Sequence, residues 1–165
     1  MRSRGFPARA IGDHTVQSTA RPKNILVPVD FSSASKKAFK YAFPFAEKFS
    51  AQLTLLHVLE PASSSNFAGI AGAPAFSETA QLSAEKSLQA LIGSTRNGSV
   101  GRTRITMRAG VPSHEIVELA KEADIDLIVI GALGYTGGKH FCIGSTAERV
   151  VRAAPCPVLV VREKE

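Results

Sequence analysis

The chain has 165 residues, of which 44% are hydrophobic and 21% charged, with a formal net charge of +6. This length and balance suit one globular domain. No apolar run approaches the roughly 18 residues of a membrane span, and no signal-like apolar stretch opens the chain, so the composition argues against membrane insertion and secretion and for a cytoplasmic protein.

The charge is unevenly placed. Residues 1–23 carry Arg2, Arg4, Arg9, Arg21 and Lys23 against Asp13 alone, a net +4 that leaves only +2 for the rest of the chain. A nearly neutral body gives no sign of a specific nucleic-acid partner. The leader has Gly5, Pro7, Gly12 and Pro22 and no apolar period, so residues 1–23 are expected to be a disordered basic extension and 24–165 the folded domain. An Arg-rich, acid-poor leader also fits a transit peptide or a weak anionic-surface contact; a frayed extension is the simpler reading.

From Asn24 the pattern becomes regular. Ile25 to Asp30 forms an apolar strand ending at an aspartate, and Ser32-Ser33-Ala34-Ser35 supplies start signals for a helix over 36–49. In that helix Ala38, Tyr41, Ala42, Phe45, Ala46 and Phe49 recur at helical steps against a lysine-rich face, and Pro44 is expected to interrupt and kink it. Gln52 to Val58 predicts a second strand. The stretch 62–76, rich in Ser, Ala and Gly, reads as a long mobile loop, and Ser77 to Ile92 as a second helix. After a break over 93–101, Arg102 to Arg108 alternates arginine and threonine with Thr103, Ile105 and Met107, as a half-exposed edge strand does. Gly110-Val111-Pro112 then leads into a helix over 113–123, with Ile116, Val117, Leu119 and Ala120 facing inward.

Asp126 to Ile130 is a short β-branched run that suits a buried parallel strand. It leads directly into Gly131-Ala132-Leu133-Gly134, nine residues, and Gly144-Ser145, a G-x2-G-x9-G-S pattern. Glycines at a strand's carboxyl end let the backbone approach a ligand. Ser145 and Glu148 have the spacing of a capping box for the helix over 145–154, whose first N–H groups favour an anion. Neither the P-loop nor the dinucleotide fingerprint matches, since no Gly-Lys-Ser/Thr follows and the helix opens at the distant Gly144. A tight turn followed by a tight helix entry would give the same glycines without a ligand. Pro157 to Val161 is the last strand. The resulting β-α alternation implies right-handed crossovers and a doubly wound parallel α/β sheet with helices on both faces, whose ligands bind at the strand carboxyl ends.

Together, the opening ILVPVDFS, LLHVLEP, GVPSHEIVELAKEADIDLIVIG, the glycine loop and the closing STAERVVRAAPCPVLVV resemble the universal stress protein family, over Asn24 to Arg162. The glycine loop is similar to that of the family's ATP-binding branch. The resemblance implies five parallel strands in the order 3-2-1-4-5 and ATP, with Mg or Mn, as cofactor. It places Pro28, Asp30 and Val58 around adenine and ribose, with Ile130 and Gly131 as the floor. Gly134, Gly144, Ser145 and Thr146 would hold the phosphates. Family loops often read G-x-H-G-R where this chain has Gly131-Ala132-Leu133-Gly134-Tyr135, so side-chain contacts to phosphate are weakened, and Lys139 and His140 are the nearby sources of charge.

Other readings compete at single positions. Asp30 at a strand-helix junction suits a helix cap, and His57 in an apolar strand suits a sheet-face histidine; His14 and His114 are given no site role. Cys142 and Cys156 match neither a disulfide framework nor zinc-ligand spacing and are expected to be reduced thiols, Cys156 the more buried. No paired carboxylates, activated nucleophile or metal cluster is visible, so the expected activity is at most a slow ATPase. Two functions follow: an ATP-binding regulatory protein in stress response, or a dimeric interaction module that does not use nucleotide. In both the resemblance implies a homodimer through Pro157 to Val161, an apolar strand expected at the sheet edge.

Overall fold

A computed structural model describes residues 21–60, 78–95, 103–133 and 143–162. The basic leader before residue 21, the stretch 62–76 expected to be a loop, and most of the glycine loop, Gly134, Lys139, His140 and Cys142 included, lie outside the described residues.

The elements alternate as β1 (Asn24–Pro28), α1 (Ser33–Phe49), β2 (Gln52–Leu59), α2 (Glu78–Gly93), β3 (Thr103–Ala109), α3 (Pro112–Glu122), β4 (Leu127–Gly131), α4 (Ser145–Ala153) and β5 (Val158–Val161). The strands form one five-stranded sheet in the order β3-β2-β1-β4-β5, and every pairing is parallel. Because β1 sits centrally and the chain leaves it in both directions, the crevice at its carboxyl end lies at the point where strand order reverses.

Alternation along the strands divides the core into two layers. Ile25, Val27 and Val29 of the first strand segment, with Leu53, Leu55 and Val129, pack against Phe39 and Ala42 of α1 and Leu88 of α2. Leu26, Leu56, Ile128 and Ile130 point the other way, onto Ile116 and Ala120 of α3 and Val150 of α4. At the opposite end of the sheet, Asp126 accepts from the N–H groups of Lys23 (2.7 Å) and Asn24 (2.8 Å), fixing the start of β1 beside the start of β4.

Three local expectations are corrected. Helix α1 is not interrupted at Pro44, which sits on its exposed face, but continues through it to Phe49. It ends at Ser50, which donates its N–H to the Glu47 carbonyl and whose left-handed φ of 55° turns the chain so that the Ala51 N–H bonds the Ala46 carbonyl at 2.9 Å. Strand β3 lies at the sheet edge as expected, yet Arg108 is half-buried: its guanidinium folds onto α3, hydrogen-bonding Glu122 and lying 3.6 Å from Glu115. Those bonds, to Glu122 above all, hold the Arg108 pKa above its ordinary value. Cys156 is only partly buried; that burial, with Asp126 nearby, pushes its thiol up. Among the described residues no helix is long and apolar enough to cross a membrane.

Candidate functional site

At the carboxyl ends of β1, β2 and β4 the structure opens into a cavity of about 580 Å³. Pro28, Leu56, Val58, Ile116 and Ile130 give it apolar walls, and Asp30, Glu60, Ser145 and Thr146 supply polar groups. Every candidate residue among those described lines this one cavity: Pro28, Asp30, Val58, Ile130, Gly131, Gly144, Ser145 and Thr146. A few hundred Å³, mostly apolar with a small number of converging polar groups, is the form that small-molecule sites take.

The β1–α1 turn supplies the first polar group. Ser32 caps α1, its hydroxyl accepting from the Ser35 N–H at 3.2 Å. Asp30 stands one step back from the cap, accepting from the Ser32 N–H at 3.0 Å and from the Ser32 hydroxyl at 2.5 Å. The reading of Asp30 as the helix cap is therefore corrected: it orients the cap, and the residue is exposed and lines the cavity.

The glycine loop supplies the second. Gly144 donates its N–H to the Ala132 carbonyl (2.7 Å), and Ala132 donates to Val161 of β5 (2.8 Å), so the two ends of the loop are fastened together at the sheet. The expected capping box does not form. Gly144 is itself the N-cap, with extended backbone (φ −63°, ψ 152°), its carbonyl accepts from the Glu148 N–H, and the Glu148 side chain pairs with Arg152 one turn on. Among the described residues no side chain caps this terminus. The N–H groups of the first turn of α4 have no intrahelical acceptors, and Ser145 and Thr146 of that turn line the cavity.

Gly131 is required for a different reason from the one its place in the loop suggests. A Cβ there would stand 2.8 Å from the Ala34 carbonyl carbon and 2.9 Å from the Ser35 nitrogen, so α1 can pack against β4 only over a bare Cα. Sequence reasoning missed His57 as a cavity-lining residue. The residue lines the cavity, and its ring stands with its centroid 4.7 Å from that of Phe31 and hydrogen-bonds through Nδ1 to the Val29 carbonyl at 2.7 Å. The signal available was its position one residue before Val58 at a strand's carboxyl end. Among the described residues no group of three or more His, Cys, Asp or Glu side chains is arranged to hold a metal ion.

Comparison with known proteins places this architecture. A profile of the Universal stress protein family matches residues 22–162. A universal stress protein of Methanocaldococcus jannaschii is 36% identical over 143 residues, covering 86% of this chain and 82% of its own. The solved universal stress protein UspA of Lactobacillus plantarum superimposes with a TM-score of 0.66 at 32% identity, over 85% of this chain and 97% of its own. A universal stress protein solved in complex with cAMP shares the fold, with a TM-score of 0.56 at 24% identity over 85% and 96% of the two chains. With a profile match that runs from the first strand to the last and a relative this similar over most of both lengths, the chain belongs to the universal stress protein family.

Proposed function

We propose that this protein binds ATP in the cavity at the carboxyl ends of β1, β2 and β4 and acts as a nucleotide-dependent regulator in stress response. The observation that carries the reading is one cavity bounded by an apolar cleft, the acidic residue Asp30 and a helix N-terminus that no described side chain caps. An adenine needs the first, a ribose hydroxyl the second and a phosphate the third. In this reading Pro28, Val58 and Ile130 enclose the base, and Asp30 accepts from the ribose. Gly131 closes the floor, and Gly144, Ser145 and Thr146, with Gly134, carry the phosphates. That a family member of the same fold was solved with cAMP supports an adenine nucleotide as the ligand class.

A divalent cation, Mg²⁺ or Mn²⁺, would accompany the triphosphate. Such a cation is held largely by the phosphates and water with one or two carboxylates, and Asp30 and Glu60 are the carboxylates on the cavity wall. The proposed role is occupancy rather than fast turnover, with at most slow hydrolysis.

The reading includes a homodimer through β5. That strand ends the sheet order and is apolar throughout, with Leu159 36% exposed. An apolar edge of this kind is an association surface unless covered, and two-fold pairing with its own copy would cover it.

Two measurements test the nucleotide. Heating the purified protein and running the supernatant on an anion exchanger should release adenine nucleotide. Gly144→Val should fold, since a φ of −63° suits any residue, yet lose ATP affinity in calorimetry. Wild-type affinity in the folded Gly144→Val protein would rule out this site.

A further inference from the structure

We propose that His57 is a positioning residue: it latches the β1–α1 turn and so holds Asp30 where the nucleotide needs it. The inference rests on the nucleotide reading above and adds to it a residue that touches the backbone of the site. The ladder between β1 and β2 ends at Pro28↔Leu56, just where the chain must leave the sheet to enter the turn. One residue later both backbone groups of Val29 are gripped by β2, the N–H by the Leu56 carbonyl at 2.8 Å and the carbonyl by His57 Nδ1 at 2.7 Å. A carbonyl only accepts, so Nδ1 carries the proton. The His57 side chain thus extends the grip of the sheet by one residue past the end of β1.

What that grip holds is a strained turn. Phe31 has a φ of +64°, a left-handed conformation that a residue with a bulky side chain adopts only when its surroundings impose it. The His57 ring lies against the Phe31 ring with centroids 4.7 Å apart. Asp30 is therefore bracketed, with Val29 before it bonded to His57 and Phe31 after it packed on the same ring. The Asp30 carboxylate in turn sets Ser32, the cap of α1. Released from His57, the turn would share its time among conformations that do not present Asp30 to the cavity, and apparent affinity falls in proportion to the fraction that does.

The test separates the two contributions of the ring. His57→Asn keeps a side-chain N–H near the position of Nδ1, His57→Phe keeps the ring without the donor, and His57→Ala removes both. In nucleotide-free protein, NMR relaxation dispersion at the Phe31 and Ser32 amides should appear or grow in His57→Ala. Calorimetry with ATP should show about five- to tenfold weaker binding for His57→Ala and His57→Phe, with affinity within about threefold of wild type for His57→Asn. Combined with Asp30→Ala, His57→Ala should cost little further affinity, because it acts through that residue. A turn as rigid in His57→Ala as in wild type would overturn the latch whatever the ligand. A loosened turn with unchanged ATP affinity, or no rescue by His57→Asn, would overturn its role in positioning. A wild type that binds no adenine nucleotide would instead refute the function proposed above and with it the ligand half of this inference, while the relaxation measurement would still decide the latch.

Discussion

Replacing Gly131 by alanine separates a glycine needed for packing from one needed only by a ligand. The added Cβ would lie 2.8 Å from the Ala34 carbonyl carbon, 2.9 Å from the Ser35 nitrogen and 3.0 Å from the Ala34 Cβ. The two nearest of these are backbone atoms of the first turn of α1, so no side-chain rotation relieves the clash; β4 or the helix must move. Overpacking of this kind costs about 1–3 kcal/mol. Alanine also restricts the unfolded chain, which returns roughly 0.4–1 kcal/mol. The steric cost wins, and a net loss of about 1–2 kcal/mol corresponds to a fall of about 2–8 °C in Tm for a chain of this size. Thermal unfolding followed by circular dichroism, without nucleotide, measures it. Gly93→Ala is the control, because nothing lies within 4 Å of a Cβ at that position, and it should leave Tm unchanged or slightly raised. A Gly131→Ala protein as stable as wild type would refute the packing argument and leave Gly131 as a glycine of the loop alone.

Asp30→Ala should weaken ATP binding by about 1–3 kcal/mol, the range for a hydrogen bond to a charged group, and should lower stability by about 1 kcal/mol because Ser32 loses its acceptor; unchanged affinity in calorimetry beside a fallen Tm would make Asp30 a turn residue only. Wild-type protein should scatter light as a dimer at micromolar concentration and Leu159→Lys as a monomer, whereas a monomeric wild type would end the β5 pairing. Alkylation of Cys156, followed by peptide mass spectrometry across a pH series, should have its midpoint above that of the urea-unfolded chain, since burial raises the thiol. With the folded pKa raised, the protonated thiol's contribution to stability is present below the unfolded pKa and declines as pH rises through the folded one; a midpoint below the unfolded chain's would contradict the burial.

The order of the strands is legible because hydrophobic runs such as Ile25–Val29 and Ile128–Ile130 alternate with amphipathic segments of helical period. The candidate residues gather in one cavity for the same reason, as strand carboxyl ends in a parallel sheet share a side. What stays hidden is contact across sequence distance. That Gly131 faces Ala34, that His57 reaches back to Val29, and that Arg108 turns onto Glu122 depends on which elements touch, and no periodicity encodes it. Local competition hides the rest. Glu148 has the spacing of a capping partner, but Arg152 lies one turn along the same helix face and offers an ion pair instead. Pro44 falls on the exposed side of α1, where tertiary packing keeps the helix intact despite the missing donor.

An amide NMR titration of the isotope-labelled protein with ATP and Mg²⁺ reads nucleotide binding at this cavity residue by residue. Saturable shifts should concentrate at Asp30, Val58, Gly131, Gly144, Ser145 and Thr146. No saturable shift, or shifts confined to residues away from the carboxyl ends of β1, β2 and β4, would contradict it.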